Sequence, residues 1–297
     1  MKVLIAYDGS SYADAAIDDL QWAGLPQDAD VVILTAVEWP LQAPRSWWMV
    51  ETGFPAELEE HVKAAERIAE QARHRLHGYF PQWKIQTATP PVGHASTAIL
   101  GKANTWAADL IVAGTHGRSS LARVLLGSVS LKLVQEAPCS VRICRRRPAD
   151  GPVRLLIGDD GSAEAEAALT EVSRRSWPAG TEVRVLAVHE LLVTTNAESL
   201  AVDPGLYDKI NQDEHSRLQS LAKRDSDVIR RAGLAVVPIV EEGDPKDALL
   251  RQARKFGASA IFIGARGMGR VERMLLGSVS SGTVAHAPCT VEVVRSR

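Results

Sequence analysis

Apolar and polar positions along the chain follow two rhythms. Short runs of consecutive apolar residues, such as Val3-Leu4-Ile5-Ala6 and Leu110-Ile111-Val112-Ala113, alternate with longer stretches in which apolar residues recur every three or four positions. The first rhythm is that of a strand buried on both faces, the second that of an amphipathic helix. In the first half it predicts strands over 2–7, 30–37, 83–88, 109–114 and 140–144, with helices over 12–23, 56–78, 95–107 and 121–136 between them. The second half repeats the order, with strands near 153–158, 182–188, 235–240, 260–264 and 290–294. This alternation implies an α/β fold: two similar doubly wound domains, each with a mostly parallel sheet covered by helices on both faces. Residues Trp39 to Phe54, with Trp39, Trp47 and Trp48, break the rhythm and leave a lid, a dimer contact and a loop packed on its own domain open.

The halves are copies. Leu125-Leu126-Gly127-Ser128-Val129-Ser130 recurs letter for letter as Leu275-Leu276-Gly277-Ser278-Val279-Ser280, an offset that also carries Gly114 to Gly264, Gly117 to Gly267, Arg123 to Arg273 and Ala137-Pro138-Cys139 to Ala287-Pro288-Cys289. Asp8-Gly9-Ser10 returns slightly further on, as Asp160-Gly161-Ser162. A period this long is domain duplication and not a solenoid. The expected domains are 1–147 and 152–297, joined by the polar stretch Arg145 to Pro152, which reads as a solvated linker before it reads as a nucleic-acid contact.

Composition narrows the class without changing the fold. The 297 residues are 45% hydrophobic and 24% charged, with 34 basic against 36 acidic residues, so there is no broad field for nucleic acid or an anionic membrane. The apolar runs are far too short to span a bilayer, and Met1-Lys2 leads straight into a strand where a signal peptide would need a longer apolar segment. Cys139, Cys144 and Cys289 lack CxxC spacing and suit a reduced compartment, with Cys139 and Cys289 read as core thiols. A cytoplasmic location is the expectation.

Candidate chemistry concentrates at two glycine clusters. Gly114 and Gly117 follow a strand, and Gly127-Ser128 comes after nine further residues; Gly264, Gly267, Gly277 and Ser278 repeat the spacing. Glycine at a strand end permits close backbone approach, and exposed N–H groups with a serine hydroxyl can hold phosphate oxygens. Asp8 and Asp160 follow the first strand of each half, where they can accept ribose hydroxyls, help hold magnesium, or simply close an Asx turn. His116 lies in the first cluster and its counterpart is Arg266, which favours a phosphate contact over a general base. No GxGxxG follows the first strand, and GxxxxGK[ST], HExxH and GxSxG are absent. None of the cysteine and histidine spacings looks like a zinc site.

On these residues the chain resembles the universal stress protein family in its tandem form. Its G-x2-G-x9-G-[S/T] signature is matched by Gly114, Gly117, Gly127 and Ser128, and by Gly264, Gly267, Gly277 and Ser278. The resemblance implies an adenine nucleotide alpha hydrolase-like fold that binds ATP with Mg2+. Asp8 and Asp160 would lie near the ribose or metal, Val37 and Val188 beside adenine, and the Gly127–Val129 and Gly277–Val279 segments around the phosphates. Ser130 and Ser280 fall where a further hydroxyl contact is common. It also implies pairing through the last strand, either between the two halves or as a homodimer. The function implied is a nucleotide-dependent stress-response module, with a weak ATPase or phosphotransferase, or a scaffold without nucleotide, as alternatives. One departure stands out: Tyr7 before Asp8 becomes Asp159 before Asp160, a carboxylate that opposes a polyanion. Conversely, Gly243-Asp244-Pro245 resembles the family's usual lead into the penultimate helix, whereas the first half has Val92-Gly93-His94.

Overall fold

The computed structural model describes residues 1–38, 56–117, 126–146, 151–190, 204–267 and 276–296. The Trp39–Phe54 stretch and the loops after Gly117 and Gly267 lie outside them. The chain divides into two compact units, Met1–Arg147 and Pro148–Ser296. No helix among the described residues is long and apolar enough to cross a membrane.

In the first unit, β1 (Lys2–Ala6), β2 (Asp30–Leu34), β4 (Lys84–Ala88), β6 (Leu110–Gly114) and β7 (Ser140–Cys144) form a sheet in the order β4-β2-β1-β6-β7, with every pairing parallel. β3 (Val37–Glu38) and β5 (Pro91–Val92) form a separate short pair. The helices are α1 (Ser11–Asp19), α2 (Ala56–Tyr79), α3 (Ala95–Trp106) and α4 (Ser128–Glu136). Val3 and Ile5 of β1 join Ala16, Ile17, Ala72 and Leu76 of α1 and α2 in one buried cluster. α3 packs on β1 and on α4. Side chains alternate along a strand, so a sheet with helical neighbours needs apolar residues at successive positions, as the predicted runs had them.

The second unit repeats the plan. β8 (Arg154–Gly158), β9 (Glu182–His189), β10 (Ala235–Glu242), β11 (Ala260–Gly264) and β12 (Thr290–Val294) take the order β10-β9-β8-β11-β12, again with parallel pairings. Its helices are α5 (Ala163–Arg174), α6 (Pro204–Arg231), α7 (Pro245–Phe256) and α8 (Ser278–His286).

Three elements depart from the expected bounds. The strand expected over 30–37 breaks after Leu34, where the segment paired with it runs on from Ala88 into Pro90 and Pro91, which have no N–H to continue a ladder, and resumes as β3 opposite Pro91 and Val92. The helix expected over 12–23 ends at Asp19 and tightens into a 3₁₀ turn over Leu20–Trp22. The helix expected over 121–136 begins at Ser128, because Gly127 is extended (φ −68°, ψ 152°) and serves as its N-cap. The three cysteines are buried and none of them forms a disulfide.

Buried charge is handled differently in the two copies. Arg142 on β7, 1% exposed, donates through Nε to Asp19 Oδ2 at 2.7 Å. The equivalent position on β12 carries Glu292, which instead accepts from Arg175 Nη1 at 3.0 Å, while Arg175 Nη2 also donates to Glu171 at 2.7 Å. A helix end shows a parallel difference: α3 closes on Ala107 in left-handed backbone (φ 51°), where α7 closes on Gly257 (φ 64°). A Cβ in that conformation costs about 1–2 kcal/mol, partly offset by the freedom glycine adds to the unfolded chain. Ala107→Gly is therefore expected to stabilise the protein by about 0.5 kcal/mol, and Gly257→Ala to destabilise it by about 1 kcal/mol, in urea unfolding midpoints.

Candidate functional site

A crevice follows from the strand order. β1 is flanked by β2 on one side and β6 on the other, so the chain reverses its direction of travel across the sheet between them, and the crevice opens at the carboxyl ends of β1 and β6. Asp8 stands at the first of these ends. Its Oδ1 accepts the Ser10 N–H at 3.0 Å across a turn in which Gly9 takes φ +76°, and Ser10 then caps α1 by accepting from Ala13 N at 3.2 Å. The Asx turn and the helix cap together fix the carboxylate at the mouth of the crevice.

The glycines close around it. A Cβ on Gly114 would lie 2.7 Å from the Tyr12 carbonyl oxygen, and one on Gly117 would lie 2.9 Å from Asp8 Oδ2. Gly127 N–H donates to Thr115 O at 2.8 Å, and a Cβ there would sit 3.1 Å from that same oxygen. Ser128 then opens α4 as an exposed residue, followed by half-buried Val129, with no side chain at Gly127 to cap the first turn. The structure thus brings Asp8, Gly114, Gly117, Gly127 and Ser128 together. Ser130 is different: it is buried and its hydroxyl donates to Gly114 O at 2.7 Å, tying α4 back to the strand end.

The second unit reproduces the backbone and alters the side chains. Asp160 Oδ1 accepts from Ser162 N at 3.0 Å, a Cβ on Gly267 would reach within 2.5 Å of Asp160 Oδ2, and one on Gly264 would lie 2.7 Å from Glu164 Cβ. Gly277 N–H bonds Ala265 O at 2.8 Å, Ser278 is exposed, Val279 half-buried, and Ser280 donates to Gly264 O at 2.7 Å. Where the first unit sets the Tyr12 and His116 rings 5.0 Å apart, the second binds Arg266 to Glu164, with Nε–Oε1 2.9 Å and the Arg266 N–H to Oε2 3.2 Å. His116 Nδ1 also lies 3.0 Å from the Thr115 hydroxyl. Tyr12 and Glu164 were missed in the sequence; the signal was that they change together with His116 and Arg266.

Val37 and Val188 do not occupy equivalent places. Leu34 pairs with Ala6 as Leu186 pairs with Gly158, an offset of 152 (186 − 34), so the residue equivalent to Val37 is His189. Val37 is buried in β3, its N–H bonded to Pro90 O at 3.0 Å, whereas Val188 is half-buried inside β9 opposite Glu241. The Asp8 turn also borders a cavity of about 410 Å³ lined by Tyr7, Gly9, Asp14, Ile68, Gln71 and Arg75. Arg75 there is held by Asp18, at 2.8 and 2.6 Å.

The sequence model of the universal stress protein family matches residues 1–145 and again 153–295. The chain belongs to the universal stress protein family. Universal stress protein Rv2005c of Mycobacterium tuberculosis is 28% identical over 99% of this chain and 96% of its own. A universal stress protein of Thermus aquaticus is 33% identical over 48% of this chain and 97% of its own, the length of one repeat. Among solved structures, a universal stress protein from Archaeoglobus fulgidus superposes with a TM-score of 0.64 at 21% identity, over 99% of this chain and 96% of that one, which shows the shared fold.

Within this tandem universal stress protein the residue before the site aspartate sets the electrostatics. Tyr7 donates to Asp14 Oδ1 at 2.6 Å. Asp159 in its place is 4% exposed, with Gly161 N–H donating to Oδ1 at 3.0 Å and Oδ2 buried without a partner. Burial first, then the Asp225 and Asp160 carboxylates, push Asp159 up to about 7 against the pull of the Gly161 N–H. The unfolded chain ionises first, near about pH 4, so the neutral carboxyl favours folding below that pH and the contribution is lost as pH rises through 7. Asp159→Asn is expected to flatten this loss and to exceed the parent protein by a few kcal/mol at pH 8. Urea midpoints of the two proteins at pH 5 and pH 8 check it; an equal difference at both would refute it.

Proposed function

We propose that residues 1–147 and 152–297 are two doubly wound domains that bind ATP with Mg2+, and that occupancy, not turnover, is what the protein signals with in a stress response. The observation that carries this reading is the contact of Gly117 with Asp8, repeated by Gly267 with Asp160: backbone without a side chain passes directly over a carboxylate at a topological switch point. That arrangement suits a nucleotide, whose phosphates take N–H groups from the glycine loop and the first turn of α4 or α8 while its ribose hydroxyls donate to the aspartate. Mg2+ fits the same place, as a hard cation that takes carboxylate and phosphate oxygens. Exposed Ser128 and Ser278 are the hydroxyls in this reading, whereas Ser130 and Ser280 position the loop. His116 and Arg266 flank the phosphates. Both are read as contacts to phosphate and not as bases: His116 lies against Thr115 and Tyr12, and Arg266 is paired with Glu164.

The test is nucleotide stoichiometry. ATP–Mg2+ titration, with the nucleotide released by denaturing fresh protein measured alongside, is expected to show a tighter class in the first unit. Gly127→Val places side-chain atoms against Thr115 O, and overpacking of about 1–3 kcal/mol predicts roughly a tenfold to hundredfold loss of that class. Gly277→Val has more room, 3.5 Å from Ala265 O, and is expected to cost less. Unchanged affinity in Gly127→Val defeats the assignment.

A further inference from the structure

The second unit carries a cluster that the nucleotide reading does not use. β9 and β10 run in parallel register with His189 opposite Glu242 and Ala187 opposite Val240. Side chains alternate along strands, so Ala187 and His189 share a face with Val240 and Glu242. That face is covered by α6, whose Leu218, Leu221 and Ala222 pack with Ala187 and Val240. His215 lies one turn earlier on the same helix, above the ends of the two strands. One ligand atom from each of His189, His215 and Glu242 falls within 4.8 Å of the others, and the two imidazole rings stand 5.8 Å apart at 60°.

The hydrogen-bond account of these rings is unfinished. His189 is 2% exposed, yet neither of its ring nitrogens has a partner, and His215 Nδ1 is buried without one as well. A buried polar atom left unbonded costs about 1–3 kcal/mol, so three in one place call for a common explanation. His215 Nε2 lies 3.0 Å from the Gln219 amide nitrogen. Turned so that its oxygen faces the ring, that amide accepts the Nε2 proton and leaves the Nδ1 lone pair directed at the cluster, the outer-shell arrangement common to metal-ligating histidines. The neighbouring cation is already neutralised, because Arg217 makes paired 2.7 Å bonds to Glu214.

We propose that His189, His215 and Glu242 form a binding site for a divalent transition-metal ion of the zinc class in the second unit, at the second-strand position that Val37 holds in the first and apart from the glycine–aspartate contact. Two imidazoles and a carboxylate are the donors such ions select, whereas Mg2+ and Ca2+ take oxygen ligands. Three protein ligands leave a fourth position for water or a ligand. Ligand atoms of a tetrahedral zinc ion lie about 3.4 Å apart, so atoms up to 4.8 Å apart close by as much as about 1.4 Å, and exposed Glu242 at a strand end and half-buried His215 supply the movement. Val37 in the equivalent place of the first unit is apolar, which is why that unit has no copy.

Untagged full-length protein, stripped with chelator, would be titrated with Co2+ and followed by its visible ligand-field absorption, then with Zn2+ by calorimetry. One ion per chain is expected, with the cobalt band displaced by Zn2+ and indifferent to a large excess of Mg2+. His215→Ala and Glu242→Gln, at a half-buried helix position and at the strand end, should each weaken binding by about tenfold or more while far-UV circular dichroism is unchanged. Gly127→Val and Gly277→Val should keep the cobalt band whether or not they bind nucleotide, so this site and the nucleotide site fail separately. Absence of the band, its displacement by Mg2+, or equal affinity in the His215→Ala and Glu242→Gln proteins would overturn the proposal.

Discussion

The structure of each unit turns on a contact that only glycine allows. At the carboxyl end of β6 the backbone of Gly114 passes so close to the first turn of α1 that a Cβ would meet Tyr12 O at 2.7 Å, and at the end of β11 Gly264 meets Glu164 in the same way. With the strand end pressed against the helix that follows Asp8, the next residues have nowhere to go but over the aspartate, which is why Gly117 and Gly267 must also be glycine. Ser130 and Ser280 then use their hydroxyls to hold the following helix to the same strand-end carbonyl. A close approach, a carboxylate beneath it and a returning helix start form one chain of constraints. Loss of the first would displace the others.

Because those constraints are backbone constraints, side chains around them were able to diverge in pairs. Tyr12 with His116 became Glu164 with Arg266, exchanging a ring contact for a charged one of similar reach. Asp19 with Arg142 has as its counterpart Glu171 and Glu292 around Arg175, so a buried cation on the sheet became a buried anion and the compensating charge moved to the end of α5. A buried ion survives only with its partner, and removal of one member leaves the other uncompensated at a cost of several kcal/mol. Coupled change is therefore the expected course for such positions after duplication.

This division also explains what could be read from the chain. Strand and helix order was legible because burial on both faces of a parallel sheet forces continuous apolar runs, and the glycine spacing was legible because backbone proximity leaves no substitute residue. The break after Leu34 was hidden, since it depends on Pro90 and Pro91 more than fifty residues away. The start of α4 at Ser128 was hidden by Leu125 and Leu126, whose apolar pattern continues the helix that Gly127 interrupts. The offset between copies shifts from 150 at the glycine cluster to 152 at the first strand, and Val188 was matched to Val37 where the register of β9 places His189. His189, His215 and Glu242 escaped for a simpler reason: ligands supplied by two strands and a helix have no short spacing, so a search for local motifs passes over them.

The same substitutions that burden the second unit as a polyanion site favour it as a cation site. A phosphate approaching Asp160 meets Arg266 with its charge already shared with Glu164, and finds Asp159 where the first unit has a phenol. An ionised carboxylate within a few ångströms of a phosphate opposes it by about 1–4 kcal/mol over the range from water to a protein surface, so the opposition from Asp159 grows as pH rises through 7. Towards a metal ion the sign reverses: the Glu242 carboxylate brings a negative charge to the cluster, and the neighbouring Arg217 is balanced by Glu214. A histidine ligates a metal through the lone pair of a neutral ring, so the charge of the ion is met by the carboxylate of Glu242. The second copy of the crevice carries His189 at the end of its second strand where the first carries Val37, and that difference places a nitrogen ligand opposite Glu242.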